Sequence, residues 1–296
     1  MPNVGLMGAG SLLGAASTFF LARRRPLVVG LALTDVCNLR CIHCRVANVG
    51  AGHMSMGEIE ALLLDLHARG ARVLYLEGGE PYLWRDGART AADVVRRARE
   101  VGFLRVHVYT NGTRPLDAGA DFHWVSIDGP PSMHRRIRGV PVDDTVEHLR
   151  AHAGPAAVIT TLNTLNLGAI EETLDFVERE LPGRRVMFYF HTPYYGFDDL
   201  LPSPAQRVAA AERIVALKRA GRAVLNSAAG IRATAAGTFR HPLPYIAVVD
   251  TTGEYRCCRA IGTPEVCRHC GYSACAEMEL VRHLHPGALR DALRYV

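Results

Sequence analysis

The 296-residue chain has no long Pro/Gly/Ser-rich linker and no low-complexity tract. Nothing in it marks a flexible join between independent domains, so one large α/β unit with a small appendage is expected. Extended disorder is excluded by composition, since 49% of residues are hydrophobic and 21% charged. A basic patch interleaved with aromatics is also missing. Aromatic residues make up 7% of the chain, and the net charge of +5 comes from scattered arginines such as Arg96, Arg97 and Arg99. These read as the solvated face of one helix, and no nucleic-acid partner is expected.

Charge itself is absent from Val4 to Ala22, 19 residues followed at once by Arg23, Arg24 and Arg25. A cleaved secretory signal carries its positive charges before the apolar stretch, not after it. The arginines are expected to stay on the cytoplasmic side, which makes residues 1–26 a short membrane anchor or interfacial helix. The alternative is a helix packed on the protein's own surface.

Beyond the arginines, strand and helix patterns alternate about six times. PLVVGLALTDV is a nearly unbroken apolar run, as a strand covered on both faces requires. MGEIEALLLDLHARG follows as an amphipathic helix ending at Gly70, then RVLYLEGGEP as a strand and glycine turn. ADVVRRAREVG, DDTVEHLRAHA, IEETLDFVERE and AAAERIVALKRAG are further helices, and FLRVHVYTNG, FHWVSIDG, PAAVITTLN and RRVMFYFHTP further strands. Such alternation predicts a parallel sheet with its functional loops at the C-terminal strand ends.

The eight cysteines fall into two groups with metal-ligand spacing, in place of the pairs of a small secreted fold. This implies a reducing environment. CNLRCIHC puts Cys37, Cys41 and Cys44 on one tight loop, where three thiolates can hold an iron–sulfur cluster and leave one iron open. A zinc site with His43 as fourth ligand fits the same residues.

With EGGEP (Glu77–Pro81) one helix and one strand later, the chain resembles the radical S-adenosylmethionine (radical SAM) superfamily over roughly Leu27 to Pro193. The resemblance implies a partial (β/α)6 TIM-like barrel over 27–241. It implies a 4Fe-4S cluster whose open iron binds the amino and carboxylate groups of SAM, and an electron that cleaves SAM to a 5'-deoxyadenosyl radical. A reducing partner such as flavodoxin or ferredoxin follows. Gly78 and Gly79 would admit close backbone approach, and the Glu80 carboxylate would meet the methionine ammonium. Thr110 and Asn111 in YTNG, and Ser126 and Asp128 in SIDG, stand where ribose or carboxylate contacts are commonly found. His43 stands where an aromatic ring often lies against adenine. Arg135, Arg136 or Arg138 would meet the cofactor carboxylate, and Asn163 and Asn166 follow the fifth strand.

The second group reads GEYRCCRAIGTPEVCRHCGYSAC. It resembles the shortened auxiliary-cluster extension called twitch, related to SPASM, over 242–296. Cys258, Cys267, Cys270 and Cys275 would hold a second 4Fe-4S cluster, and structural zinc fits the C-x2-C spacing as well. Cys257 is then spare, either packed or set as a hydrogen-atom donor beside the substrate. HTPYYGFDD, with His191, Tyr194 and Tyr195, is the expected substrate-facing segment. No separate leader-peptide-capturing domain precedes the barrel pattern, which favours a small-molecule or lipid-like substrate over a peptide. The reactions expected are epimerisation, dehydrogenation or bond formation at an unactivated carbon. Peptide maturation, and a zinc-binding scaffold or regulatory protein, are the alternatives.

Overall fold

The computed structural model describes residues 25–292 apart from Tyr195, Phe197, 241–242 and 259–262. The uncharged Val4–Ala22 segment and its membrane assignment lie outside the described residues, as does Tyr195. Among the described residues no helix is long and apolar enough to cross a membrane.

Six strands run in parallel: β1 (Val28–Thr34), β2 (Val73–Gly78), β3 (Arg105–Thr110), β4 (Phe122–Ser126), β5 (Ala156–Leu162) and β6 (Val186–Phe190). Between them lie α1 (Met56–Arg69), α2 (Ala91–Val101), α3 (Pro131–Arg138), α4 (Asp143–Ala151) and α5 (Ile170–Glu180). The first two helices start where the sequence supplies reciprocal caps, Ser55 with Glu58 and Thr90 with Asp93, and stop at left-handed Gly70 and Gly102.

Strand alternation sorts the side chains onto two unlike faces. Outward, Leu31, Leu74, Leu76, Val106, Val108 and Val158 join Ile59, Leu63, Val94 and Leu174 of the helices in one aliphatic core. The opposite face carries a smaller cluster in which Ile159, Met187 and Tyr189 are buried with Tyr109, Trp124 and Tyr272 packed on them. A Cβ on Gly30 would stand 2.4 Å from the Tyr75 ring, so glycine there makes room for an aromatic on that face.

After β6 come α6 (Pro204–Arg219) and α7 (Ala228–Ala236), then β7 (Ile246–Asp250), β8 (Gly253–Arg256), α8 (Pro264–Arg268), α9 (Ser273–Arg282) and α10 (Pro286–Ala292). The sheet order is β6-β5-β4-β3-β2-β1-β7-β8, with β7 parallel to β1 and β8 antiparallel to β7. The cysteine-rich segment thus extends the sheet itself by two strands, which the six-repeat pattern did not predict.

The α6–α7 connection and the Gly271–Ser273 stretch together close the far edge. The Val186 and Phe188 amides donate to the Ala223 carbonyl (2.8 Å) and the Asn226 side chain (2.8 Å), and Phe190 N–H reaches the Gly271 carbonyl (3.0 Å). Asn226 Nδ2 and Ser273 Oγ donate to the Phe188 carbonyl. The β6 edge is therefore satisfied without another strand.

Two fully buried histidines give the fold an acid limit. Burial lowers His123 and His134 to about 4. In the unfolded chain both titrate near 6.5, so below that pH the unfolded state takes up protons first and stability falls as pH drops from 6.5 towards 4. Cluster-free protein should lose up to about 3 kcal/mol per pH unit in that window from these two groups. Thermal unfolding across pH 4–7 checks this, and a flat profile would contradict it.

Candidate active site

The C-terminal ends of the strands open into a cavity of about 480 Å³. Cys37, Cys41 and Cys44 line it from the loop after β1, and all three are free thiols. The loop is tied by residues outside the motif. The Asp35 carboxylate accepts the backbone N–H groups of Gly50 (2.7 Å), Ala51 (3.0 Å) and Gly52 (3.1 Å). Asn48, at φ 58°, accepts from Cys37 N–H (2.9 Å) and donates to the Leu39 carbonyl (3.0 Å). Burial pushes the Cys37 thiol up and the Cys41 thiol up to about 11, so metal binding there expels protons.

The glycine turn after β2 does the work expected of it through its backbone. A Cβ on Gly78 would stand 2.2 Å from the Thr34 carbonyl oxygen, and one on Gly79 2.2 Å from that of Val36. Only glycine lets the turn press on the cysteine loop, where Gly79 and Glu80 N–H bond to Thr34 (2.7 Å) and Val36 (2.9 Å). Both glycines line the cavity.

Glu80 does not. It is fully buried, and its oxygens accept from Tyr82 N–H (3.1 Å), Thr110 Oγ1 (2.8 Å) and Asn111 N–H (2.8 Å). The carboxylate expected to meet the cofactor instead pins the end of β3 to the glycine turn. The acidic residue on the cavity wall is Glu77.

Asn111 reaches the cavity, with Nδ2 directed at Asn38 Oδ1 (3.0 Å) and Cys37 Sγ (3.7 Å). Ser126 and Arg138 line it as well, whereas Asp128 lies beneath. Asp128 is fully buried, accepts Arg138 Nε (2.7 Å) and Thr161 N–H (2.8 Å), and stands 3.8 Å from His43 Nε2. Burial alone would raise its pKa, but the Arg138 guanidinium holds the carboxyl below its ordinary value. It is a structural anion, not a ribose contact. Asn163 is likewise turned into its own loop, accepting Leu165 N–H (2.9 Å) while its N–H donates to Asn166 (2.7 Å). Thr161 takes the wall position there.

His43 is on the wall. Burial lowers its pKa to about 4, so the ring is uncharged, and its Nδ1 has no partner among the described residues. The expected substrate segment contributes His191, hydrogen-bonded to Asp198 (3.0 Å), and Tyr194, whose hydroxyl bonds to that of Tyr272. Tyr109 and Tyr189 complete an aromatic wall, with ring centroids of Tyr189 and Tyr272 5.7 Å apart. Tyr272 carries no motif signal, because it comes from between Cys270 and Cys275.

The second cysteine group is gathered beside this wall. Cys258 acts electrostatically on Cys267, Cys270, Cys275 and Tyr272, and Cys257 hydrogen-bonds to Cys258 and Cys275. Cys257 is not among the residues that line the cavity. Strand β8 ends at Arg256, and Cys257 takes φ 70°, so the two adjacent side chains do not diverge as in a strand. It packs with Leu27, Leu243, Tyr245 and Ile246 away from the cavity.

Both donor sets fit iron–sulfur clusters. Cys37 Sγ accepts Leu39 N–H (3.4 Å) besides the Asn111 amide, and such bonds to sulfur tune clusters. Among the described residues no three or more His, Cys, Asp or Glu converge as a single metal ion requires. A cluster offers a separate iron to each thiolate.

Residues 31–177 match the Radical SAM superfamily profile. The chain is 31% identical over 185 residues to the AdoMet-dependent heme synthase of Methanosarcina barkeri, covering 57% of this chain and 51% of that protein. It is 30% identical over 194 residues to the same organism's Fe-coproporphyrin III synthase, covering 60% and 46%. With the GTP 3',8-cyclase of Limosilactobacillus fermentum it shares 29% over 170 residues, covering 50% and 49%. The chain spans about half the length of these relatives. Streptococcus suis SuiB shares the fold at TM-score 0.62 and 13% identity over 79% of this chain and 60% of that one. anSMEcpe with bound AdoMet does so at 0.57 and 14%, over 92% and 83%.

Proposed function

This chain belongs to the radical SAM superfamily, and from that premise we propose that it cleaves S-adenosylmethionine reductively to act on an unactivated carbon of a small-molecule or lipid-like substrate. The observation that carries the reading is the meeting of three free thiols and the Gly78–Gly79 backbone at one cavity. Cys37, Cys41 and Cys44 would hold the 4Fe-4S cluster, and Gly78, Gly79, Asn111, Ser126 and Arg138 would hold SAM, with the uncharged His43 ring against adenine. Cluster and SAM together supply a 5'-deoxyadenosyl radical, given one electron from a partner such as flavodoxin or ferredoxin.

The chain's own part is orientation and exclusion of water. Tyr109, Tyr189, Tyr194 and Tyr272 offer an aromatic wall suited to a compact, largely apolar substrate. The curated relatives, by their names, make heme and Fe-coproporphyrin III and cyclise GTP. Those names support a small molecule as the substrate class. Cys258, Cys267, Cys270 and Cys275 would hold a second cluster, able to accept the electron that an oxidised substrate radical gives up. With Cys257 turned from the cavity, the reading favours dehydrogenation or bond formation over hydrogen return. The test is anaerobic incubation of reduced, iron-loaded protein with SAM. Release of 5'-deoxyadenosine is expected, and none from fully loaded protein would sink the proposal.

A further inference from the structure

An unaccompanied positive charge is buried beside the second cysteine group. Arg207, in the first turn of α6, is 2% exposed. Its Nη1 donates to the His269 carbonyl (3.0 Å), and Nη2 to those of Thr234 (2.6 Å) and Cys270 (2.7 Å). The guanidinium carbon lies 4.9 Å from the Phe190 ring centroid, and Nε has no partner among the described residues. All of these neighbours are neutral. The other well-buried arginines have acids: Arg138 bonds Asp128 (2.7 Å), and Arg282 lies 3.5 Å from Glu279. No described carboxylate pairs with Arg207, and none of the residues outside the described set is Asp or Glu.

Taking a guanidinium out of water without an anion costs several kcal/mol, and the positive end of its own helix adds to that cost. Such a residue persists where an anion not yet counted stands nearby. Two of the three carbonyls it grips belong to His269 and Cys270, so the guanidinium abuts the backbone that carries Cys270. Four thiolates around a doubly positive metal core would leave a net negative site there.

We propose that Arg207 is the counter-charge of a metal site built on Cys258, Cys267, Cys270 and Cys275, positioning the 269–270 backbone and stabilising the anionic thiolates. The proposal rests on the second-cluster reading above. A fixed positive charge beside a cluster favours its reduction.

The experiment uses the full chain carrying Cys37→Ala, Cys41→Ala and Cys44→Ala, so that only the second site loads iron. Its reduced signal is titrated against potential by EPR. Arg207→Met should shift the balance about tenfold towards the oxidised form, 59 mV for a one-electron couple, while Arg207→Lys stays near the parent. An unchanged potential in Arg207→Met overturns the proposal. Should Arg207→Met lose its metal, retention by Arg207→Lys at the parent potential supports the counter-charge, and equal loss in both variants overturns it. If the parent takes up zinc and no iron, the second-cluster reading fails by itself. The counter-charge is then read as zinc retention against a chelator: about tenfold weaker in Arg207→Met than in parent and Arg207→Lys if it holds, equal in all three if it does not.

Discussion

Replacing Cys37, Cys41 and Cys44 together by alanine should reduce 5'-deoxyadenosine release at least about a hundredfold, to the level of SAM without protein, because all ligands of the SAM-binding cluster go at once. The variant should stay folded. The loop is tied by Asp35 to the Gly50–Gly52 amides and by Asn48 to Cys37 and Leu39 through backbone groups that alanine keeps. It should retain about four irons per chain, since the second group has its own four thiolates. Chromatographic product assay and iron analysis check both halves. Undiminished release would remove the three cysteines from the chemistry, and loss of all iron would remove the second cluster.

The next largest effect is expected at Glu80. Glu80→Ala leaves the Tyr82 and Asn111 amides and the Thr110 hydroxyl without an acceptor in a fully buried place. At roughly 1–3 kcal/mol for each unsatisfied group, the loss should be about 4 kcal/mol, lowering the unfolding midpoint of cluster-free protein by about 10 °C. Glu80→Gln keeps one accepting oxygen and should lose about half as much. The alternative makes the opposite forecast. A carboxylate whose business is the SAM ammonium would, on replacement by alanine, weaken SAM binding and leave the midpoint unmoved.

The contrast shows how far a linear motif reaches. CxxxCxxC and GGEP are read from neighbours along the chain, and both arrive at the cavity because a loop after one parallel strand must face the turn after the next. Side-chain roles within the motif are a different matter. Glu80 looks like a ligand in one dimension and is a strut in three, because β3 ends beside it and brings Thr110 and Asn111 within 2.8 Å. Asp128 and Asn163 fail for the same reason: polar residues at strand ends are needed first to satisfy the turns they begin. Glu77 was within reach of strand periodicity, since it shares a face with Tyr75 two residues before it.

Tyr272 and Arg207 had no local signal. Tyr272 reaches the wall only because Gly271 meets the end of β6, where its carbonyl accepts from Phe190 at 3.0 Å. Arg207 sits in AQRVAAAERIVALKR, where an arginine early in an amphipathic helix reads as solvent-facing. Burying it takes the contact with 269–270, more than 60 residues downstream. For Cys257 the sequence left packing and a substrate-facing role open, and the left-handed residue just past the end of β8, which sets the direction of its side chain, has no signal in the sequence.

The central claim is that the cysteine loop holds a cluster with an iron left open for SAM, and EPR of the reduced, fully loaded protein before and after SAM addresses it directly. The account predicts that SAM changes the g-values of one signal, that this signal is missing from the Cys37, Cys41 and Cys44 triple variant, and that the second signal is untouched. A spectrum that SAM leaves unaltered, in protein carrying iron at the first three cysteines, would contradict it.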